Sequence, residues 1–247
     1  MYGVVLVIYY KTMQQLRVTY AAPDENLACD EWLLDRCARG LLPATGVLRF
    51  WESVRYFAVL GLSNQTEKEL QLDVCKRDQI PVLRRCSGGG TVLQGPGCLN
   101  YSLILPVSSA PELSGITRTN RWILERHRKA LLTPASNSIE LDGTSDLTLD
   151  GRKFSGNAQR RLKNAILIHG TFLYRFDLDK IERYLHFPPR PPAYRGRRTH
   201  SDFLTNLPLS AEQIREAIAS CWNAVEPGLV PPDEEITHLA QTRTHKP

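Results

Sequence analysis

The stretch LTLDGRKFSGNAQRRLKNAILIHGTFLYRF, residues 147–176, decides the fold. It begins with two short alternating runs, LTL and RKF, around Asp150-Gly151. An Asp-Gly pair accepts positive φ at both central positions of a two-residue type I′ turn, so the spacing predicts a β-hairpin. It continues into NAILIHGTFLYRF, an apolar, β-branched run that reads as a long strand. A turn at Lys163-Asn164 then returns FSGNAQRRL alongside that strand.

Working outward, LRVTY (16–20), VLRFWE (47–52), YFAVLG (56–61), PVLRRC (81–86), TVLQ (91–94) and LNYSLILP (99–106) read as further strands. A helix is expected over ENLACDEWLLDRCAR (25–39), capped by Asp24 or Asn26 and stopped at Gly40. Short helices are expected over 66–73 and 177–185, and a longer one with a basic outer face over 119–132. Ser210 and Gln213 form an S-x-x-Q capping box ahead of AEQIREAIASCWNAV. Strands joined by hairpins, with helices between, predict an α+β fold: a mixed, mostly antiparallel sheet with flanking helices. The segment PPRPPAYRGRR (188–198) excludes regular structure and reads as a mobile loop. The tail after Pro231 is polar and promises little structure.

The 247 residues, 42% hydrophobic and 23% charged, suit one soluble globular domain over residues 13–247. Residues 1–12, MYGVVLVIYYKT, read as an extra strand or an over-extended start, being too short for a membrane span. The net charge of +5 admits an acidic protein, a phosphorylated ligand or nucleic acid and selects none of them. Six scattered cysteines without a CxxC pair argue against a zinc site or a disulfide framework, and point to reduced thiols in a cytoplasmic protein.

Three places carry chemistry. Ser87, Gly88, Gly89 and Gly90 follow Arg84 and Arg85, so a bare backbone with exposed N–H groups lies beside two guanidinium groups. The spacing fits neither a phosphate-binding GxxxxGKS/T loop nor GxGxxG. By itself the triple glycine is equally a tight turn. Lys153, just past the hairpin turn, can present a point charge to a phosphate and a carbonyl together. A lone GRK is more often a solvated hairpin lysine. His169, within an apolar strand, is more often a satisfied core residue than a catalyst.

In this order and spacing, RRCSGGGTV, LNYSLI, GTSDLTLDGRKFSGNAQRR and ILIHGTFL resemble the lipoate–protein ligase A family, within the biotin/lipoate protein ligase and octanoyltransferase superfamily. The resemblance runs from about Arg17 through NLACDEWLL and FWES to THLAQTR. It implies the mixed sheet already expected, and a two-step reaction. Lipoate or octanoate and ATP, with Mg2+, form an acyl-adenylate, and the acyl group passes to a lysine of a lipoyl carrier domain or a glycine cleavage H-like protein. Residue by residue, Arg85 matches the motif arginine near the phosphates, and Ser87 with Gly88, Gly89 and Gly90 the loop bounding the acyl and phosphate site. Lys153 matches the lysine that contacts the activated carbonyl and α-phosphate, and Asp146 the aspartate ahead of the hairpin. Ser155, Gly156 and Ala158 match the SGSA-like turn; His169 and Gly170 match the HHG-like segment. No protein ligand for a metal is implied. Leu83, Val92, Leu103, Ile166, Ile168 and Trp51 are candidate walls of an acyl slot.

The chain departs from the pattern in places. Gln94 stands where the family usually has histidine, and Ser145 where ligases usually have asparagine. No cysteine lies between Cys98 and Cys221, which disfavours a thioester-forming transferase, the alternative on the same fold. The accessory C-terminal domain of longer ligases is not expected here, and a separate accessory subunit would be one way to do without it. A non-catalytic basic module binding nucleic acid is the remote alternative, since the arginine loop carries only Tyr194, with Phe187 nearby, for base stacking.

Overall fold

The computed structural model describes residues 12–133, 135–225 and 229–243. In chain order the elements are β1 (Met13–Arg17), α1 (Pro23–Ala38), β2 (Val47–Trp51), β3 (Phe57–Leu60), α2 (Thr66–Glu69), α3 (Leu72–Arg77), β4 (Val82–Arg84), β5 (Val92–Gln94) and β6 (Cys98–Pro106). Then come α4 (Ile116–Leu131), β7 (Ile139–Asp142), β8 (Asp146–Leu149), β9 (Arg152–Arg161), β10 (Ala165–Leu173), α5 (Asp179–Tyr184), α6 (His200–Phe203), α7 (Ala211–Cys221), β11 (Ala224–Val225) and α8 (Asp233–Thr242). The large sheet has the order β11-β1-β2-β6-β10-β9-β8-β7 and is antiparallel except where β1 meets β2 and β11. A small sheet, β4-β3-β5, stands beside it. This is the mixed, mostly antiparallel α+β architecture expected. Among the described residues no helix is long and apolar enough to cross a membrane.

The hairpin that anchored the sequence reading forms as expected. Asp150 (φ 51°) and Gly151 (φ 69°) both take positive φ between β8 and β9, and β9 pairs antiparallel with β10 from Asn157↔Gly170 to Arg161↔Ile166. Alternation along β10 then sorts two layers. Ile166, Ile168 and Phe172 join Ile123 and Leu124 of α4 and Ile214 and Ile218 of α7 in one core. Ala165 and Leu167 face the opposite way, toward Leu33 and Leu34 of α1 and Ile236 of α8. His169 lies on that second face, which is why it meets α1.

Several local expectations are corrected. The first strand is Met13–Arg17 rather than 16–20. The helix α1 starts on Pro23 with Ala22 as N-cap and no side-chain cap. Asn26 instead folds back, accepting from Tyr20 N–H and donating to the Tyr20 and Ala22 carbonyls. The 66–73 helix is two helices, α2 and α3, parted by an extended Leu70. The polar tail is the helix α8, docked on α1. The arginine loop, expected to be mobile, is anchored at Arg195, which is buried, with its guanidinium 4.6 Å and 4.8 Å from the Phe187 and Phe203 rings. The capping box at Ser210 and Gln213 is present, with both reciprocal hydrogen bonds. Residues 1–11, most of the N-terminal segment singled out above, lie outside the described residues.

The α4/α7 layer encloses a group that makes the fold acid-sensitive. His127 is fully buried, and its Nε2 accepts from Trp222 Nε1 at 2.8 Å. The Tyr101 ring lies edge-on at 4.8 Å. Burial, reinforced by Arg126, pushes its pKa down to about 3. The unfolded chain therefore binds a proton near pH 6.5 that the folded protein refuses, so stability is complete above pH 6.5 and falls as pH drops toward 3. Asp30 adds to this loss lower still, because its folded pKa lies below the ordinary carboxylate value. Calorimetry between pH 7.5 and 4.5 is expected to show a falling melting temperature, with the fall reduced in His127→Leu. A flat profile would show that His127 titrates normally.

Candidate active site

The loop that joins β4 to β5 is built by arginines. Arg84 donates to the carbonyls of Gly61, Leu62 and Asn64. Arg85 donates from Nη2 to the carbonyls of Gly88 and Gly90, both at 2.8 Å, and from Nε to Ser87 Oγ at 3.0 Å. The two side chains diverge, as alternation requires, but both are committed to backbone. Burial lowers the Arg85 pKa to about 10, which leaves it a cation at neutral pH. Gly89 sits at φ +92°, a conformation costly for any other residue.

Behind this loop runs a chain of polar contacts that ends in a buried ion pair. Ser87 Oγ is 2.6 Å from His169 Nε2, and His169 Nδ1 is 3.6 Å from Asp30 Oδ2. In the tautomer that carries its proton on Nδ1, beside the carboxylate, Nε2 accepts from the Ser87 hydroxyl. Asp30 also accepts from Ser102 Oγ at 2.6 Å and from Arg49 Nη1 at 2.6 Å. Burial alone would raise the Asp30 pKa, but the Arg49 guanidinium, then His169 and Ser102, outweigh it and hold it below the usual carboxylate range.

The third part comes from the hairpin. A β-bulge lies between β8 and β9: Thr148 faces Lys153 while Leu147 faces Ser155, so β9 carries one extra residue at Phe154. In a regular strand residues 153 and 156 would point to opposite faces. The extra residue brings Lys153 and Gly156 onto one side. Lys153 Nζ is 2.9 Å from Asp146 Oδ1, and the other Asp146 oxygen accepts from the Tyr194 hydroxyl at 2.8 Å. A side chain at Gly156 would start 2.8 Å from Lys153 Cε and Nζ, so the lysine can lie there only over glycine.

These parts meet around one cavity of about 440 Å³. Of the residues singled out in the sequence, Arg85, Gly89, Gly90, Asp146, Lys153, Gly156, Ala158, His169 and Gly170 line it. Ser87, Gly88 and Ser155 do not; Ser87 and Ser155 are buried behind the wall. Of the candidate slot residues, Trp51 and Val92 line the cavity with Leu27 and Val59. Leu83 only packs against that cluster, and Leu103, Ile166 and Ile168 face the α4/α7 core instead. Gln94 lines the cavity and accepts a hydrogen bond from the Cys98 thiol. No cysteine lines it. Burial pushes the Cys86 thiol up to about 12 and Cys98 beyond the thiol range. Among the described residues no cluster of acidic, histidine or cysteine groups could hold a metal ion.

Sequence reasoning missed Asp30, Arg49 and Tyr194. The first two left a trace: an aspartate amid the apolar residues of α1, and an arginine at the centre of VLRFW, are charges placed where burial is expected.

A probable lipoate-protein ligase A of Mycoplasma pneumoniae is 31% identical over 164 residues, 66% of this chain and 46% of that protein. The chain thus spans about half the length of that relative. The octanoyltransferase LipM of Halalkalibacterium halodurans is 28% identical over 224 residues, 79% of this chain and 80% of the relative. Among solved structures, the bi-partite lipoate protein ligase of Thermoplasma acidophilum, studied with its E2 lipoyl domain, shares the fold with a TM-score of 0.76 at 20% identity, covering 94% of this chain and 91% of that one. The family model of the lipoyl protein ligase A/B catalytic domain matches residues 22–220, which include the glycine loop, the buried Asp30–Arg49 pair and the Lys153 hairpin. On that match the chain belongs to the lipoyl protein ligase A/B catalytic domain family.

Proposed function

We propose that the protein attaches lipoate or octanoate to a lysine of a lipoyl carrier domain, using ATP to form an acyl-adenylate, and that residues 13–247 form the catalytic domain for it. The observation that carries this reading is the cavity with Lys153 on one wall and the Gly89–Gly90 backbone on another. The apolar end, with Leu27, Trp51, Val59 and Val92, suits an acyl chain. The glycine backbone, with Arg85 behind it, suits the phosphates. Lys153 is the catalytic residue: its ammonium serves both the carbonyl oxygen and the α-phosphate, where negative charge grows as pyrophosphate and later AMP depart. Asp146 and Tyr194 hold that ammonium in place. His169, fixed by Asp30, keeps Ser87 and hence the loop in register. Magnesium arrives as part of the MgATP substrate, held by phosphate and water, since both Asp146 oxygens are engaged within the protein.

Transfer from an acyl carrier through a cysteine thioester is the competing reading, because octanoyltransferases are among the relatives. The position of the thiols counts against it: a thioester needs an accessible thiolate, and burial keeps Cys86 and Cys98 protonated. Purified protein given lipoate and ATP is expected to release pyrophosphate, and Cys86→Ser and Cys98→Ser to keep that rate within about twofold, as expected of residues outside the reaction. Loss of activity in either cysteine variant, with no need for ATP, would establish the thioester route instead.

A further inference from the structure

We infer that Arg243, just beyond the tail helix, is a positioning residue for the glycine loop. The helix α8 is already anchored to α1 without it. Ile236 is fully buried in the α1 cluster, with Leu239 and Ala240 packed beside it. Glu235 accepts from Trp32 Nε1 at 2.7 Å and pairs with Arg36 at 3.1 Å, and Thr237 donates to Glu25. Arg243 adds something of a different kind. It is 6% exposed, and its Nη2 donates to Glu31 Oε1 at 2.5 Å and to the carbonyl of Arg84 at 2.8 Å.

That carbonyl is a vulnerable point. The strand β4 is the edge of the small sheet. Arg85 N–H is turned inward to the Leu60 carbonyl, so the Arg84 carbonyl faces outward from the sheet, on the side where β4 has no neighbouring strand among the described residues. Ser87 and the three glycines begin three residues on. Cys86, between the two, is buried in the same apolar cluster as Ile236. The glycine loop is thus held from within by Arg85 and at its base by Arg243, which comes from a segment remote in sequence.

Energetics favour a positioning role over a stabilising one. Burying a guanidinium is costly, and an apolar residue would dock the end of α8 at least as well. Only a donor can fix the Arg84 carbonyl, and with it the place of the Gly89 and Gly90 backbone in the cavity wall. Reacting groups tolerate little displacement, so a loosened loop would weaken substrate binding before it altered folding.

The kinetic arm of the test rests on the proposed ligase activity; the structural arm does not. Hydrogen exchange of the full chain without substrate is expected to speed up in Arg243→Ala by about tenfold across residues 86–91, the scale of one lost charge-assisted hydrogen bond, and to stay unchanged in β10. The KM for ATP and lipoate is expected to rise by about tenfold, with kcat within about threefold. Arg243→Lys, whose ammonium can still reach a carbonyl, is expected to fall between, and it supplies the reading if the alanine variant does not fold. Unchanged exchange over 86–91, an equal rise in β10, or altered exchange with wild-type KM would each overturn the inference. A wild-type protein without ligase activity would sink the proposed function alone, since exchange would still decide the role of Arg243.

Discussion

Lys153→Ala is expected to lower the rate of the proposed acyl transfer by about 10²–10³-fold and to leave the protein folded. The size follows from what is removed: a fixed cation aimed at charge that develops only on the way to the transition state, typically worth about 3–4 kcal/mol. The survival of the fold follows from the surroundings. The Lys153 side chain is 25% accessible, so solvent can enter beside Asp146 when the ammonium is removed. Asp146 keeps the Tyr194 hydroxyl when the lysine is gone. Lys153→Arg is expected to rescue poorly. A planar fork cannot converge on two oxygens of different groups as an ammonium does, and it would have to fit over Gly156 in the space the lysine chain fills. Single-turnover transfer rates and thermal melts of both variants check this. A wild-type rate in Lys153→Ala removes the lysine from the mechanism.

Asp30→Ala acts through stability. Asp30 is 2% exposed, and Arg49 is entirely buried. Without the carboxylate, Arg49 retains acceptors at Val18, at the Asn26 carbonyl and at Asn26 Oδ1, but no counter-charge. An uncompensated buried charge costs about 3–5 kcal/mol, which in a domain of this size lowers the melting temperature by roughly 10 °C. The same change frees His169 Nδ1 and Ser102, so catalysis falls as well, at temperatures where the variant is folded. Calorimetry of Asp30→Ala against Asp30→Asn separates the missing charge from the missing contacts. A shift below about 2 °C would mean that the pair is not a structural element of the core.

What the sequence made legible was whatever its neighbours decide. The Asp150-Gly151 turn and the capping box at Ser210 are local signals that formed where expected, and the apolar run 164–176 formed a strand that stops three residues early, at Leu173. The catalytic candidates were legible through resemblance, and nine of the twelve named residues line one cavity. What remained hidden depends on contacts distant in the chain. Nothing in RKFSGN announces the bulge at Phe154, yet it turns Lys153 toward the cavity. Asp30 and Arg49 read as anomalies until the fold joined them. Proline kept 188–198 free of strand and α-helix, as expected, but the segment does form one 3-10 turn at Ala193–Arg195. The loop is nonetheless pinned, because Tyr194 finds Asp146 and Arg195 finds two phenylalanine rings. The tail misled because α8 has one fully buried apolar anchor, Ile236. Its overlooked sign was Pro231-Pro232 ahead of Asp-Glu-Glu, an acidic helix start.

The central claim is that this cavity makes and spends an acyl-adenylate. Intact mass spectrometry of a purified lipoyl carrier domain, incubated with the protein, free lipoate and MgATP, tests it most directly. One lipoyl group added to the carrier, dependent on ATP and lost in Lys153→Ala, is the result the account predicts. A carrier modified only when an octanoyl-loaded acyl carrier is supplied, with or without ATP, would contradict it.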